Sequence, residues 1–236
     1  MRLPRWSLLG ALQAPALALA AIGLAGCGGS STNNGVAGKP APEIVAAAKL
    51  AADGASSVHV SGSIVSGSSP ISLDLEVMAG KGGKGQLSEG GLGFDVIHIG
   101  ETVYIKGSSA FYRHIGGGAA AQLLQGRWLK APASSGNFAS VASLTDLREL
   151  VDKTLAVRGP LLRTATTTVA GQAVVGVTDA SKGGVLYVAT TGPAYPVEVV
   201  ENGRNGGTIT FERWDSSVSL TPPANAIELS QLQSSQ

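Results

Sequence analysis

The sequence predicts an α+β domain: a large antiparallel sheet with one apolar face, accompanied by a few short helices. Three observations carry this. Short runs of alternating apolar and polar residues recur along the chain, glycine-rich turns separate them, and helix-like periodicity is confined to a few stretches. The close spacing of the runs favours antiparallel neighbours, because parallel strands need long crossovers.

The first helix is predicted from Pro42 to about Asp53. Pro42 suits the first turn, Glu43 favours the positive N-terminus and Gly54 supplies a stop. The period then changes to two. Val58, Val60 and Ile64 alternate with His59, Ser61 and Ser63, and Ile71, Leu73, Leu75 and Val77 alternate with Ser72, Asp74 and Glu76. The pattern recurs at Val103/Ile105, Val175/Val177, Val197/Val199 and Ile209/Phe211. Turns are marked by the glycines from Gly80 to Gly83, by Gly90-Gly91, Gly183-Gly184 and Gly192-Pro193, and by the glycine-asparagine run from Asn202. About ten strands fall into two groups, near 57–106 and 157–220. Between them, Ser109–Gln125 reads as a helix broken by Gly116-Gly117-Gly118, a candidate hinge. Ser143–Leu155 reads as a helix opened by a Ser143/Asp146 capping box, with Leu144, Leu147, Leu150, Val151 and Leu155 on one face.

The N-terminus carries a different message. Arg2 and Arg5 precede an apolar stretch from Leu8 to Leu24, interrupted by Gln13 and Pro15 and too short for a comfortable bilayer span. It ends in Leu24-Ala25-Gly26-Cys27, and Cys27 is the chain's single cysteine. These four residues resemble the bacterial lipobox, in which the cysteine is diacylated and becomes residue one after cleavage. Residues 1–26 are therefore expected to be a lipoprotein signal peptide, and Cys27 the anchor. Residues 27–42 are expected to form a flexible linker, reaching about 20–25 Å as a coil and about 50 Å when straight. Residues 43–236 are expected to form one domain.

Removing residues 1–26 leaves 15 basic side chains against 16 acidic ones, a mature charge of −1. Such a balance gives no basic stripe to displace counterions, so no nucleic-acid partner is expected. It also gives no polybasic hold on lipid headgroups. Two acyl chains on Cys27 would suffice to hold the protein at a membrane.

Residues able to carry chemistry read as structural. The stretch from Gly80 to Gly85 matches the glycine pattern of dinucleotide sites, but it lies in a hairpin rather than between a strand and a helix. His59 and His98 are expected to face outward, and with His114 they have no partner at ligand spacing, so no metal or cofactor is expected. Asp74 and Glu76 share the polar strand face, which alternation alone explains. Trp128 and Trp214 are read as core plugs, and no enzymatic activity is expected.

The apolar strand face must be covered. Each large side chain on it is worth roughly 1.5–3 kcal/mol when buried. Cover can come from closure into a barrel, a second protein, a bound apolar ligand, or a simple dry core. If a cavity is present, Val60, Leu73, Leu75, Val103, Val177 and Val199 share the parity to line it, with Leu147 and Leu150 facing them.

A family resemblance bears on this choice. It rests on the lipobox and Gly/Ser linker, the helix followed by Ser57–Gly62, Val103–Lys106, Gly126–Lys130, Leu186–Val188 with Tyr195-Pro196, and Phe211–Trp214. In texture and order these are similar to the LppX/LprA/LprF/LprG envelope lipoproteins, whose fold resembles the LolA/LolB carriers. The resemblance implies a half-barrel sheet closed by helices around an apolar cavity. It also implies binding of an acylated lipid or glycolipid, its carriage within the envelope, and no catalytic residues. The expected protein is a monomer on the outer face of the cell membrane, partnered by its lipid, by the membrane through Cys27, and by an envelope transporter. The alternative is a non-enzymatic scaffold lipoprotein with a dry core.

Overall fold

In the computed structural model the described residues are 32–66, 69–156, 159–181, 183–204 and 206–233. Helix α1 (Ala41–Asp53) has Pro at its first turn and Gly54 at its end, and it buries Ala41, Ile44, Val45, Ala48 and Ala52. Five strands follow as consecutive hairpins: β1 (Ser57–Ser66), β2 (Ser69–Met78), β3 (Gly82–Glu89), β4 (Leu92–Ile99) and β5 (Thr102–Gly107). Then come α2 (Ser109–Leu124), β6 (Leu129–Pro132), α3 (Gly136–Leu144) and α4 (Leu147–Thr154). The second meander comprises β7 (Leu161–Val169), β8 (Gln172–Asp179), β9 (Val185–Ala189), β10 (Pro196–Glu201) and β11 (Gly207–Glu212). β12 (Ile227–Glu228) and α5 (Leu229–Gln233) complete the described chain.

All twelve strands form one open sheet, ordered β12-β6-β5-β4-β3-β2-β1-β11-β10-β9-β8-β7. Every pairing is antiparallel except β12 on β6. The α+β class, the one-sided pattern and the curved sheet with helices on its apolar face are as the sequence predicts. Two glycines mark its curl. Gly62 and Gly85 lie on the apolar face at φ near +150°, and a Cβ on either would fall 2.0–2.1 Å from the carbonyl of the next strand. Glycine is needed where strands bend and approach this closely.

Several expectations change. The predicted helix over Ser143–Leu155 is two helices meeting at a corner. Thr145 is fully buried there, and Asp146 caps α4 by accepting from Glu149 N at 2.8 Å. Ser143 instead donates to Ser140 O, so the capping box does not form. α3 escapes sequence reading because its small residues, Gly136 to Ser143, carry little periodicity. Val197 departs from the parity of Val199, because a register shift between Pro196 and Glu198 turns it to the other face. There it is buried with Val174 and Ala189. The linker is bound from Thr32 onward: Asn33 bridges Thr191, and Asn34 Nδ2 donates to Ala189 O at 2.9 Å and to Gly192 O at 3.0 Å. Val36, in a 3-10 turn over Val36–Gly38, is buried, so the segment from Thr32 belongs to the folded domain. Cys27 and the expected signal peptide lie outside the described residues.

A corner at the end of β11 ties the two meanders together. Trp214 stacks on Tyr195 at 4.5 Å and on Phe211 at 6.0 Å, and its Nε1 donates to Pro196 O at 3.1 Å. Trp214 is thus a plug, as expected. The Tyr195 hydroxyl donates to Asp215, whose other oxygen accepts from Ser56 N at 2.7 Å and Ser56 Oγ at 3.1 Å. The hydrogen bond from Tyr195, then that from Ser56 N, holds the Asp215 carboxyl below the usual range. Burial, then the carboxylate, pushes the Tyr195 phenol up to about 12.

The signs of these shifts fix a prediction. A depressed Asp215 contributes stability present above its unfolded pKa of about 3.9 and lost as pH falls through the lower folded value. A raised Tyr195 contributes stability that is full below about pH 10 and lost as pH rises through about 12. Asp215→Asn should therefore remove part of the acid limb of a urea-midpoint profile. It should also lower the Tyr195 ionisation midpoint, read as phenolate absorbance.

Candidate functional site

The strand register resolves the apolar face into three transverse rows of side chains. The upper row runs Val103, His98, Gly83, Val77, Val58 across β5 to β1. The middle row runs Ile105, Val96, Gly85, Leu75, Val60, Phe211. The lower row runs Gly107, Phe94, Leu87, Leu73, Gly62, Ile209, Val199, Leu186, Val177 and so crosses nine strands, β5 to β8.

The helix layer seals the upper two rows. α1 lies over β7–β10 and packs on α4, α4 packs on α3, and α3 reaches β5. Isolated, the eight-residue α4 would be marginal in water. It is held by Leu147, Leu150, Val151 and Leu155, all buried in the main core with Ile44, Val45, Ala48 and Val141. Val60, Leu75 and Val103 have no exposed surface at all.

His98 belongs to this sealed layer, against the expectation that it faces outward. It has the parity of Val96 and Phe94, and it is buried. Its Nε2 donates to Gly100 O at 2.8 Å, and its Nδ1 lies 2.8 Å from Thr145 Oγ1, itself 3.0 Å from Val141 O. A buried imidazole is tolerated here because both nitrogens find partners, fastening the α3–α4 corner to β4. His59 does face outward, with Nε2 2.8 Å from Asp74 Oδ1. Glu76, on the same outer face as Asp74, pairs with Lys84 at 3.3 Å and Arg213 at 3.7 Å. Trp128 is not a core plug: it lies half-buried beneath Lys106 Nζ, 5.2 Å from the ring centroid. Among the described residues no three His, Cys, Asp or Glu side chains gather as a metal site would require.

The lower row is different, because a hollow opens at one of its flanks. It measures about 460 Å³ and lies between the end of α4 and β8–β10. Leu155, Val177, Leu186 and Val199 line it, and Asp179, Glu201, Asn202 and Arg204 stand around it. Its size is typical of small-molecule sites. A hollow of about 450 Å³ near Leu73, Leu87, Phe94 and Gly107 opens on the outer face instead, since Ser72, Asp74, Gln86, Ser88, Asp95 and Lys106, all of outward parity, line it. A further hollow of about 720 Å³, near His98, Glu101, Lys130 and Asp146, is mainly polar.

The eight residues expected to line a cavity therefore divide. Val177 and Val199 border the hollow of the lower row. Val60, Leu73, Leu75, Val103, Leu147 and Leu150 are buried in the main core, and so is Val177. Sequence reading missed that Leu155 closes this hollow.

No protein-family profile matches the chain, and no curated protein matches it in sequence. Among solved structures it is similar to LprF from Mycobacterium bovis, with a TM-score of 0.53, 18% identity, and coverage of 78% of this chain and 97% of that one. It is also similar to the Mycobacterium tuberculosis lipoprotein LppX, with a TM-score of 0.48, 18% identity, and coverage of 76% and 99%. The fold of this chain is that of LprF.

The division of the rows is testable by adding bulk. Val60→Trp overfills the sealed middle row and should cost about 1–3 kcal/mol, whereas Val199→Trp has a hollow to enter and should cost less than about 1 kcal/mol. Denaturant midpoints of the two variants should separate accordingly.

Proposed function

We propose that this chain is a membrane-anchored lipoprotein that binds an acylated lipid or glycolipid and carries it within the cell envelope. The observation that carries the reading is the hollow of about 460 Å³ between the end of α4 and β8–β10, where Leu155, Val177, Leu186 and Val199 border an otherwise largely buried apolar face. An apolar hollow next to mixed polar groups suits a ligand with a hydrocarbon tail and a polar head. Asn202 and Arg204 stand beside the hollow, where such a head would lie. At about 0.8 kcal/mol per methylene, ten buried carbons would outweigh ordinary ordering costs.

The LprF fold and the family resemblance of the sequence support the same reading. So does the lipobox-like end of the N-terminal segment, which implies export and anchoring through a diacylglyceryl Cys27 on the outer face of the membrane. Among the described residues no helix is long and apolar enough to cross a bilayer. The reading includes no enzymatic activity, no cofactor and a monomeric carrier that exchanges its cargo with an envelope transporter.

Two experiments test it. Solvent extraction of the purified full chain, followed by mass spectrometry, should release a non-covalent acylated lipid. Val199→Trp should lose that lipid while its melting temperature stays within a few degrees. A parent that never carries lipid would favour the scaffold with a dry core, which the sealed packing of Val60, Leu75 and Val103 fits equally. Separately, Cys27→Ala should abolish incorporation of a labelled fatty acid, and unchanged labelling would refute the anchor.

A further inference from the structure

Helix α2 is rooted at the lower row. Phe111 packs on Phe94, the rings tilted with centroids 4.9 Å apart, and occupies the space that a side chain at Gly107 would need. Tyr112 is fully buried, and its hydroxyl accepts from Gly107 N at 2.9 Å and reaches Arg127 O at 3.1 Å. The helix returns to the body through Ala121 and Leu124, which pack with Tyr112 and Leu129. Between root and return, seven consecutive residues from Arg113 to Ala119 are exposed. No face of that stretch packs on the domain.

The composition of this projection suits water poorly. Ile115 is 56% exposed and, beyond the kink, Leu123 is 50% exposed. Gly116, Gly117 and Gly118 each cost a helix about 1 kcal/mol relative to alanine. The kink at Gly117, φ 76°, requires one of them. Gly118 has a negative φ, and a Cβ added to it would meet no atom within 4 Å, so neither packing nor backbone geometry calls for glycine there. The charge is as uneven. No Asp or Glu occurs from Thr102 to Thr145, while Lys106, Arg113, Arg127 and Lys130 do. Lys106 pairs with Asp95 at 3.4 Å and Lys130 with Glu228 at 2.7 Å. Arg113 and Arg127 make no ion pair among the described residues.

We propose that α2 is a docking element for an anionic lipid bilayer, in which Ile115 and Leu123 enter the boundary between headgroups and acyl chains while Arg113 and Arg127 meet lipid phosphates. Exposed apolar side chains flanked by unpaired cations are the features that hold a helix at such a surface. An acidic protein could satisfy the charges, but a glycine-rich helix gains more from lipid. There, backbone groups that would otherwise turn to water must bond within the helix. This role of α2 rests on the carrier reading for its purpose, though not for its test.

The test uses the full chain held in vesicles by its own anchor, with an environment-sensitive fluorophore on Leu123→Cys. Emission should shift to the blue and strengthen on phosphatidylcholine vesicles containing phosphatidylglycerol, and much less on phosphatidylcholine alone. High salt should reverse the shift. Replacing Arg113 and Arg127 by Gln should lower the ratio of docked to undocked helix roughly 30-fold, two charges at about 1 kcal/mol each. A second label, on Ile115→Cys with Leu123 intact, guards against loss of docking caused by the first. Equal emission from both labels on neutral and anionic vesicles, or an arginine-free variant that docks as the parent does, would overturn the proposal. So would shielding of the labels by an added acidic protein but not by anionic vesicles. Lipid content measured on the same preparations separates the two readings: lipid retained without docking refutes only the role of α2, and docking without lipid refutes only the carrier.

Discussion

The pairing of β1 with β11 makes one sheet from two meanders. β1–β5 and β7–β11 are each built from neighbouring hairpins, and each alone would leave an apolar face too narrow for the helix layer. Joining His59–Ile64 to Gly207–Glu212 creates rows that run unbroken across both halves. The join is locked at its end by Ser57 Oγ donating to Ser216 O at 2.6 Å and Asp215 N donating to Ser57 O at 3.0 Å. Partners about 150 residues apart must meet before either half buries its face, which makes this the slow, entropically costly contact of the fold. The curl that follows depends on Gly62 in the same pairing, because no other residue fits against Thr208 O.

Most of the architecture was legible because strands announce themselves by period. Val58/Val60 and Leu73/Leu75/Val77 were placed on the correct face by alternation alone, and the break at Gly116–Gly118 appears as the kink at Gly117. What failed did so for physical reasons. A single bulge reversed Val197, and alternation carries no warning of a bulge. His98 is expected on the outer face because the apolar Ile97 and Ile99 flank it, but two well-placed partners make a buried imidazole acceptable, and those partners are distant in sequence or set by the turn. The linker seemed featureless, yet Asn33 and Asn34 supply side-chain hydrogen bonds that dock it, a role hydropathy does not record. Of the candidate site, the sequence could supply the parity of the lining residues. It could not supply which rows the helices cover, since that depends on the lengths and seating of α1, α3 and α4.

Surface charge does little to seat those helices. Lys49 lies 3.0 Å from Asp152 and Arg148 lies 3.8 Å from Asp53, linking α1 to α4, but each pair includes well-exposed partners. Exposed pairs of this kind contribute about 0–1 kcal/mol. The seat of α4 therefore rests on Leu147, Leu150, Val151 and Leu155, whose burial amounts to roughly 6–12 kcal/mol.

That magnitude sets how far a ligand could intrude. An acyl chain entering the hollow beside Val177, Leu186 and Val199 need displace no helix, and each methylene it buries contributes about 0.8 kcal/mol. To reach the middle row it must lift α4, which forfeits as much as roughly eight to fifteen buried methylenes provide. Exchange of α4 for a long chain is thus near balance, because one apolar surface replaces another of similar size. A fold in this regime can close over its empty core, as Val60 and Leu75 show, and still yield to a long-chain ligand without unfolding. On the carrier reading, the buried rows keep the empty domain stable, and the hollow beside Val177, Leu186 and Val199 gives a chain its first foothold.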